Sequence, residues 1–158
     1  MSDKPLPWSE TCFVCGDANP RGLNAKFELD AEGRVRLETV VDRHFEGYGG
    51  HLHGGVVTAM LDETAGWAAT VALGRMCLAI ELTVKFRRPV PGGSKVVVIG
   101  EPVGKERRFF RAKATMTDES GKVLATAEGR FMPISEELHN EVVTHLKMPG
   151  RAAELDDI

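Results

Sequence analysis

The chain has 158 residues, 42% of them hydrophobic, with a formal net charge of -3 and a pI near 6.0. That length makes one domain with a sizeable core, and the charge balance lacks the concentrated basic surface that binds phosphate backbones, so no nucleic-acid partner is expected. Three cysteines, Cys12, Cys15 and Cys77, make no disulfide framework, and the opening MSDKPLPWSE has no apolar signal core, which together point to a cytoplasmic protein.

In chain order, residues 1–22 read as an N-terminal segment holding a C-x-x-C turn, with Met1 to Glu10 a loose lead-in. Leu23 to Leu29 and Arg34 to Val41 are strand candidates joined by a loop, Asp30-Ala31-Glu32-Gly33, of hairpin composition. A glycine- and histidine-rich loop from Gly47 to Gly55 leads into a run of Val, Ala, Met, Leu and Trp that ends at Gly74. The run predicts one long helix with Gly74 as its stop, and its apolar residues point in nearly every direction around the axis, the mark of a buried helix. It is long enough to span a bilayer. Asp62 and Glu63 at its middle argue against that, so no membrane partner is expected.

After the helix the period changes to two. Leu82, Val84 and Phe86 alternate with Glu81, Thr83, Lys85 and Arg87, and the strand stops at Pro89 and the turn Pro91-Gly92-Gly93. Lys95 to Val103, Phe109 to Thr117 and Lys122 to Met132 follow, and the short turns predict that these four strands pair as successive antiparallel neighbours. A short helix from Ser135 to about Lys147 closes a domain at residues 23–148, and 149–158 read as a flexible tail. The fold class is therefore α+β, an antiparallel sheet wrapped around one long central helix. One sheet covers only part of a helix that is apolar all round, so a second copy is expected on the remainder, as a homodimer or a dimer of dimers.

Chemistry concentrates in the loop and the helix. Acids in a core cost free energy unless paired or used. At the helix start, Gly54 and Gly55 offer unpaired N–H groups at the positive end of the dipole, a setting for an oxyanion or a polarised carbonyl. Gly54 and Asp62 are eight residues apart, roughly 12 Å along the axis at 1.5 Å per residue. One ester carbonyl cannot reach both on one helix. If both act on one substrate, the helix start of one subunit and the acid of another must share the site. Glu63 lies about 100 degrees round the helix from Asp62, so only one of the two faces a given site. His51 and His53, as an H-x-H pair in extended chain, point to opposite sides.

The string FEGYGGHLHGGVVTAMLDETAG, Phe45 to Gly66, resembles the signature of hotdog-fold acyl-CoA thioesterases of the phenylacetic-acid-pathway and 4-hydroxybenzoyl-CoA thioesterase type. ELTVKFRRPVPGG, Glu81 to Gly93, is similar to that family's strand after the helix, and CFVCGDANPRGL, Cys12 to Leu23, resembles a variant head found in part of the group. The resemblance implies a hotdog fold and hydrolysis of an acyl-CoA thioester to a free acid and coenzyme A. Position by position, it implies Asp62 as the catalytic carboxylate, nucleophile or general base, Gly54 as the amide that polarises the carbonyl, and His53 beside the leaving thiol. Gly55, His51 and Glu63 are candidate substrate contacts. Gly47 stands where some members have an asparagine, and Ala79 where many have Thr or Ser; His51 or Thr58 are the candidates to substitute.

Lys85, Arg87, Arg88, Arg107, Arg108, Arg111 and Lys113 mostly mark a solvated sheet face. Under the thioesterase reading, Arg87 and Arg88 are the candidates to grip coenzyme A phosphates. Cys12 and Cys15 have metal-like spacing, but Cys77 leaves such a site one ligand short unless His44, His139, His145 or another subunit contributes. Packing of a small turn is the preferred reading, and no metal and no cofactor are expected. Two other classes share the fold: a non-catalytic acyl-CoA sensor, and a hydratase or dehydratase moving protons beside the thioester.

Overall fold

The computed structural model describes residues 4–148. Its centre is helix α1 (Gly54–Leu73), which ends as the sequence predicts at Gly74, in the left-handed conformation, and has His53 as its N-cap. The strands in chain order are β1 (Lys4–Pro5), β2 (Trp8–Ser9), β3 (Phe27–Leu29), β4 (Val35–Val40), β5 (Glu46–Tyr48) and β6 (His51–Leu52) before α1. After it come β7 (Cys77–Phe86), β8 (Lys95–Glu106), β9 (Phe109–Asp118), β10 (Val123–Pro133), helix α2 (Glu136–Thr144) and β11 (Leu146–Lys147).

Seven strands form one sheet in the order β1-β3-β4-β8-β9-β10-β7, each pair antiparallel. Alternate residues of β8, β9 and β10, among them Val96, Val98, Ala112, Ala114, Met116, Ala127 and Phe131, are buried toward α1. Val57, Met60, Leu61, Thr64, Ala65, Ala68 and Ala69 of α1 meet them. The fold is thus the expected α+β sheet around a central helix. Among the described residues no helix is long and apolar enough to cross a membrane.

Four details depart from the sequence reading. β7 pairs with β10, not with β8, because the chain after it turns away: Arg87 and Arg88 amides donate to Leu124 O and the Gly93 amide to Val41 O, which carries the connection across to the far half of the sheet. β7 also begins at Cys77, four residues ahead of the clear alternation. The lead-in is woven into the fold. Lys4–Pro5 pair with β3, Leu6 is buried, and Trp8–Ser9 pair with β11. Finally, the last helix, capped by Ser135 as expected, stops at Thr144, and Leu146–Lys147 are strand. The expected tail, residues 149–158, lies outside the described residues.

Candidate active site

The loop before α1 is a hairpin. β5 and β6 pair around Gly49 and Gly50, whose φ values of 63 and 75 suit the two-residue turn that matches strand twist and excludes most side chains. The Leu52 amide donates to Val90 O and the His53 amide to Phe45 O, so the entry to α1 is fixed on both sides. His53 then caps the helix: its Nδ1 accepts from the Gly55 amide at 2.9 Å. That bond requires Nδ1 to be unprotonated, places the ring proton on Nε2, and engages the Gly55 amide internally. Gly54, whose amide lies in the first turn where no intrahelical acceptor exists, is an exposed residue.

One face of α1 carries Gly55, Thr58 and Asp62 into an open groove walled by Ala79, Ile80, Glu81 and Leu82 of β7. Asp62 is half-buried. Its Oδ1 is shielded from solvent yet has no hydrogen-bond partner among the described residues, and burial raises its carboxyl above the usual aspartate range. On its other side Asp62 lines a cavity of about 280 Å³ whose walls are mostly apolar, with Trp67, Leu78, Phe131, Val142 and Leu146 among them. The acid therefore stands where a groove meets an apolar pocket, an arrangement common to small-molecule sites.

Glu63 points elsewhere, as the 100-degree offset demands. Its carboxyl group faces the N-terminal turn and is hydrogen-bonded to Cys12 Sγ, with oxygens at 3.3 and 3.7 Å. Burial pushes Glu63 up to about 8. The hydrogen bond from the Cys15 thiol draws Cys12 down to about 5, and the same bond pushes Cys15 up. Nothing in the spacing of residues 12 and 63 announces this meeting, which only the packed fold creates.

The other candidates are dispersed. His51 is exposed, bridges to Pro91 and lines a surface groove with Arg88, Lys95 and Lys122, apart from His53. Arg87 lies on the outer sheet face with Lys85, Arg111 and Lys113, whereas Arg88 Nη1 donates to Val123 O at 2.7 Å. The two arginines thus face different surfaces. Sequence reasoning missed Val142 and Leu146, which close the cavity from a helix and strand outside the recognised motifs.

Comparison with known proteins agrees with this architecture. The Thioesterase superfamily model matches residues 49–125. A solved thioesterase superfamily protein, RHA08564, superposes with a TM-score of 0.72 at 24% identity over 78% of this chain and 60% of its own length. The PaaI protein of Escherichia coli, from the phenylacetic acid degradation operon, gives 0.66 at 18% identity over 75% of this chain and 86% of its own. The smu.793 protein of Streptococcus mutans gives 0.61 at 15% identity over 85% and 90%. With α1 laid on an antiparallel sheet, the chain has the hotdog fold of these structures, and the stretch from the helix-entry hairpin into β10 is similar to the Thioesterase superfamily.

Proposed function

We propose that the protein hydrolyses an acyl-CoA thioester to a carboxylic acid and free coenzyme A, at a site shared between two subunits. The observation that carries this reading is Asp62: a buried, unpartnered carboxylate oxygen at the junction of a groove and an apolar cavity. Such an oxygen is costly to keep unless a substrate or water meets it. That smu.793 was solved bound to acetyl CoA supports the substrate class.

β7 supports the sharing. It forms one edge of the sheet, is ten residues long, and exposes Leu78 (62%), Ile80 (50%) and Phe86 (58%). A long apolar edge invites pairing with another chain. β7 runs back along α1, with Phe86 against Gly54 and Ala79 beside Asp62. A two-fold axis between Leu82 and Thr83 would set Phe86 of one strand opposite Ala79 of the next, carrying Gly54 of one helix toward Asp62 of the other.

In that site Asp62 takes a proton from water as the oxygen attacks the thioester carbon, its raised proton affinity favouring the transfer. The oxyanion that forms is met by the Gly54 amide. When the C–S bond breaks, the proton held by Asp62 passes to the departing sulfur, which the Nε2–H of His53 steadies by hydrogen bonding.

The test is thiol release from short, long and aromatic acyl-CoA esters by wild type and Asp62→Asn. Turnover by wild type that falls at least about tenfold in a folded, dimeric variant is expected. Ester binding without turnover would move the protein to the sensor class, and loss of an enoyl chromophore without thiol release to the hydratases.

A further inference from the structure

We propose that Cys12, Cys15 and Glu63 form a zinc site that clips the N-terminal segment onto the middle of α1. One ligand atom from each of the three lies within 4.8 Å of the others. In a tetrahedral site with zinc bonds of about 2.3 Å to sulfur and about 2.1 Å to oxygen, a sulfur-to-oxygen edge is about 3.6 Å. The Cys12 Sγ to Glu63 oxygen separations of 3.3 and 3.7 Å bracket it.

The turn itself has the form of a metal knuckle. The Val14 amide donates to Cys12 Sγ at 3.3 Å, a bond that stabilises a thiolate, and the Gly16 amide donates to Cys12 O at 3.0 Å. A side chain at residue 16 would lie 2.4 Å from both Cys12 O and Glu10 O, so the turn is wound too tightly for anything but glycine. Lys26 Nζ donates to Cys15 O and so sets a positive charge beside a site whose two thiolates, carboxylate and metal would sum to one negative charge.

Two thiolates with one carboxylate suit zinc among the common divalent ions. The fourth position opens on the 280 Å³ cavity that these residues line, where a water completes the shell. Cys77 lines the same cavity, but its Sγ donates to Arg75 O at 3.3 Å and it stands outside the cluster of three. The site thus takes a ligand that no Cys or His spacing could supply, and it adjoins Asp62 without including it.

The experiment is metal analysis of the full chain grown with zinc, followed by Co²⁺ titration of the reduced, metal-free protein, read by the thiolate-to-cobalt absorption band. About one zinc per chain is expected, with affinity falling at least about tenfold in Glu63→Gln, more in Cys12→Ser and Cys15→Ser, and within about twofold of wild type in Cys77→Ser. Circular dichroism of each metal-free variant checks its fold, and Glu63→Gln decides if a cysteine variant unfolds. Absence of the cobalt band in the reduced wild type, binding indifferent to Glu63→Gln, or a Cys12–Cys15 disulfide in protein kept under reductant would each overturn the proposal. None of those outcomes touches the hydrolase reading, which thiol release tests separately.

Discussion

Asp62 and Glu63 are neighbours in sequence that share one cavity wall yet turn to different partners, one to the groove along β7 and one to the cysteine turn. A helix separates adjacent side chains by about 100 degrees, so the pair was always going to serve two places. Gly47 is the other residue where a single atom matters. A Cβ there would meet His53 only at 3.4 and 3.5 Å, ordinary contact distances, so an asparagine fits beside the helix cap. Gly47→Asn is expected to raise kcat by about threefold or more by supplying a further hydrogen bond at the reacting centre, with little change in melting temperature; thiol-release kinetics and thermal unfolding check the two parts. The residue types at this site were legible in the sequence, because glycines before a helix and acids inside it break the rules of a core. The orientation of Glu63 was not, since its partner Cys12 lies 51 residues away.

At the level of elements, the seating of α1 on the sheet depends on small residues. A Cβ at Gly100 of β8 would lie 2.5 Å from Thr64 O and 2.9 Å from Thr64 Cγ2, and the nearer atom is backbone that cannot swing aside. Gly100→Ala should therefore lift the helix and cost about 2 kcal/mol, a melting temperature lower by roughly 4–8 °C. Gly66 gives the opposite sign. Its Cβ would rest 3.5 Å from the Phe131 ring, and removing a helical glycine gains about 0.5–1 kcal/mol, so Gly66→Ala should melt higher; calorimetry on both variants tests the contrast. Helix α1 was readable because its apolar run and Gly74 stop are local signals. The place of β7 was not. Alternation tells which side of a strand is covered but not which strand lies beside it, and hydrogen bonds from Arg87, Arg88 and Gly93 to distant carbonyls decide that.

For the whole molecule, the unpaired edge of β7 is where a second copy is expected. Ile80→Lys places a charge on that edge, a device that blocks edge pairing. The variant should sediment as a monomer where wild type sediments as a dimer, lose at least about tenfold in turnover, and melt nearly as wild type, since Ile80 is half exposed within one chain. The cavity beside Asp62 has a different dependence. Its closing walls include Ser9, Cys12 and Cys15 from one end of the chain and Val142 and Leu146 from the other, tied together where β2 pairs with β11, and all five lie outside the 49–125 span shared with the superfamily. Under the proposed hydrolysis, exchange of the two chain ends for those of another protein of this fold is expected to retune which acyl groups fit while Asp62 keeps its place on α1.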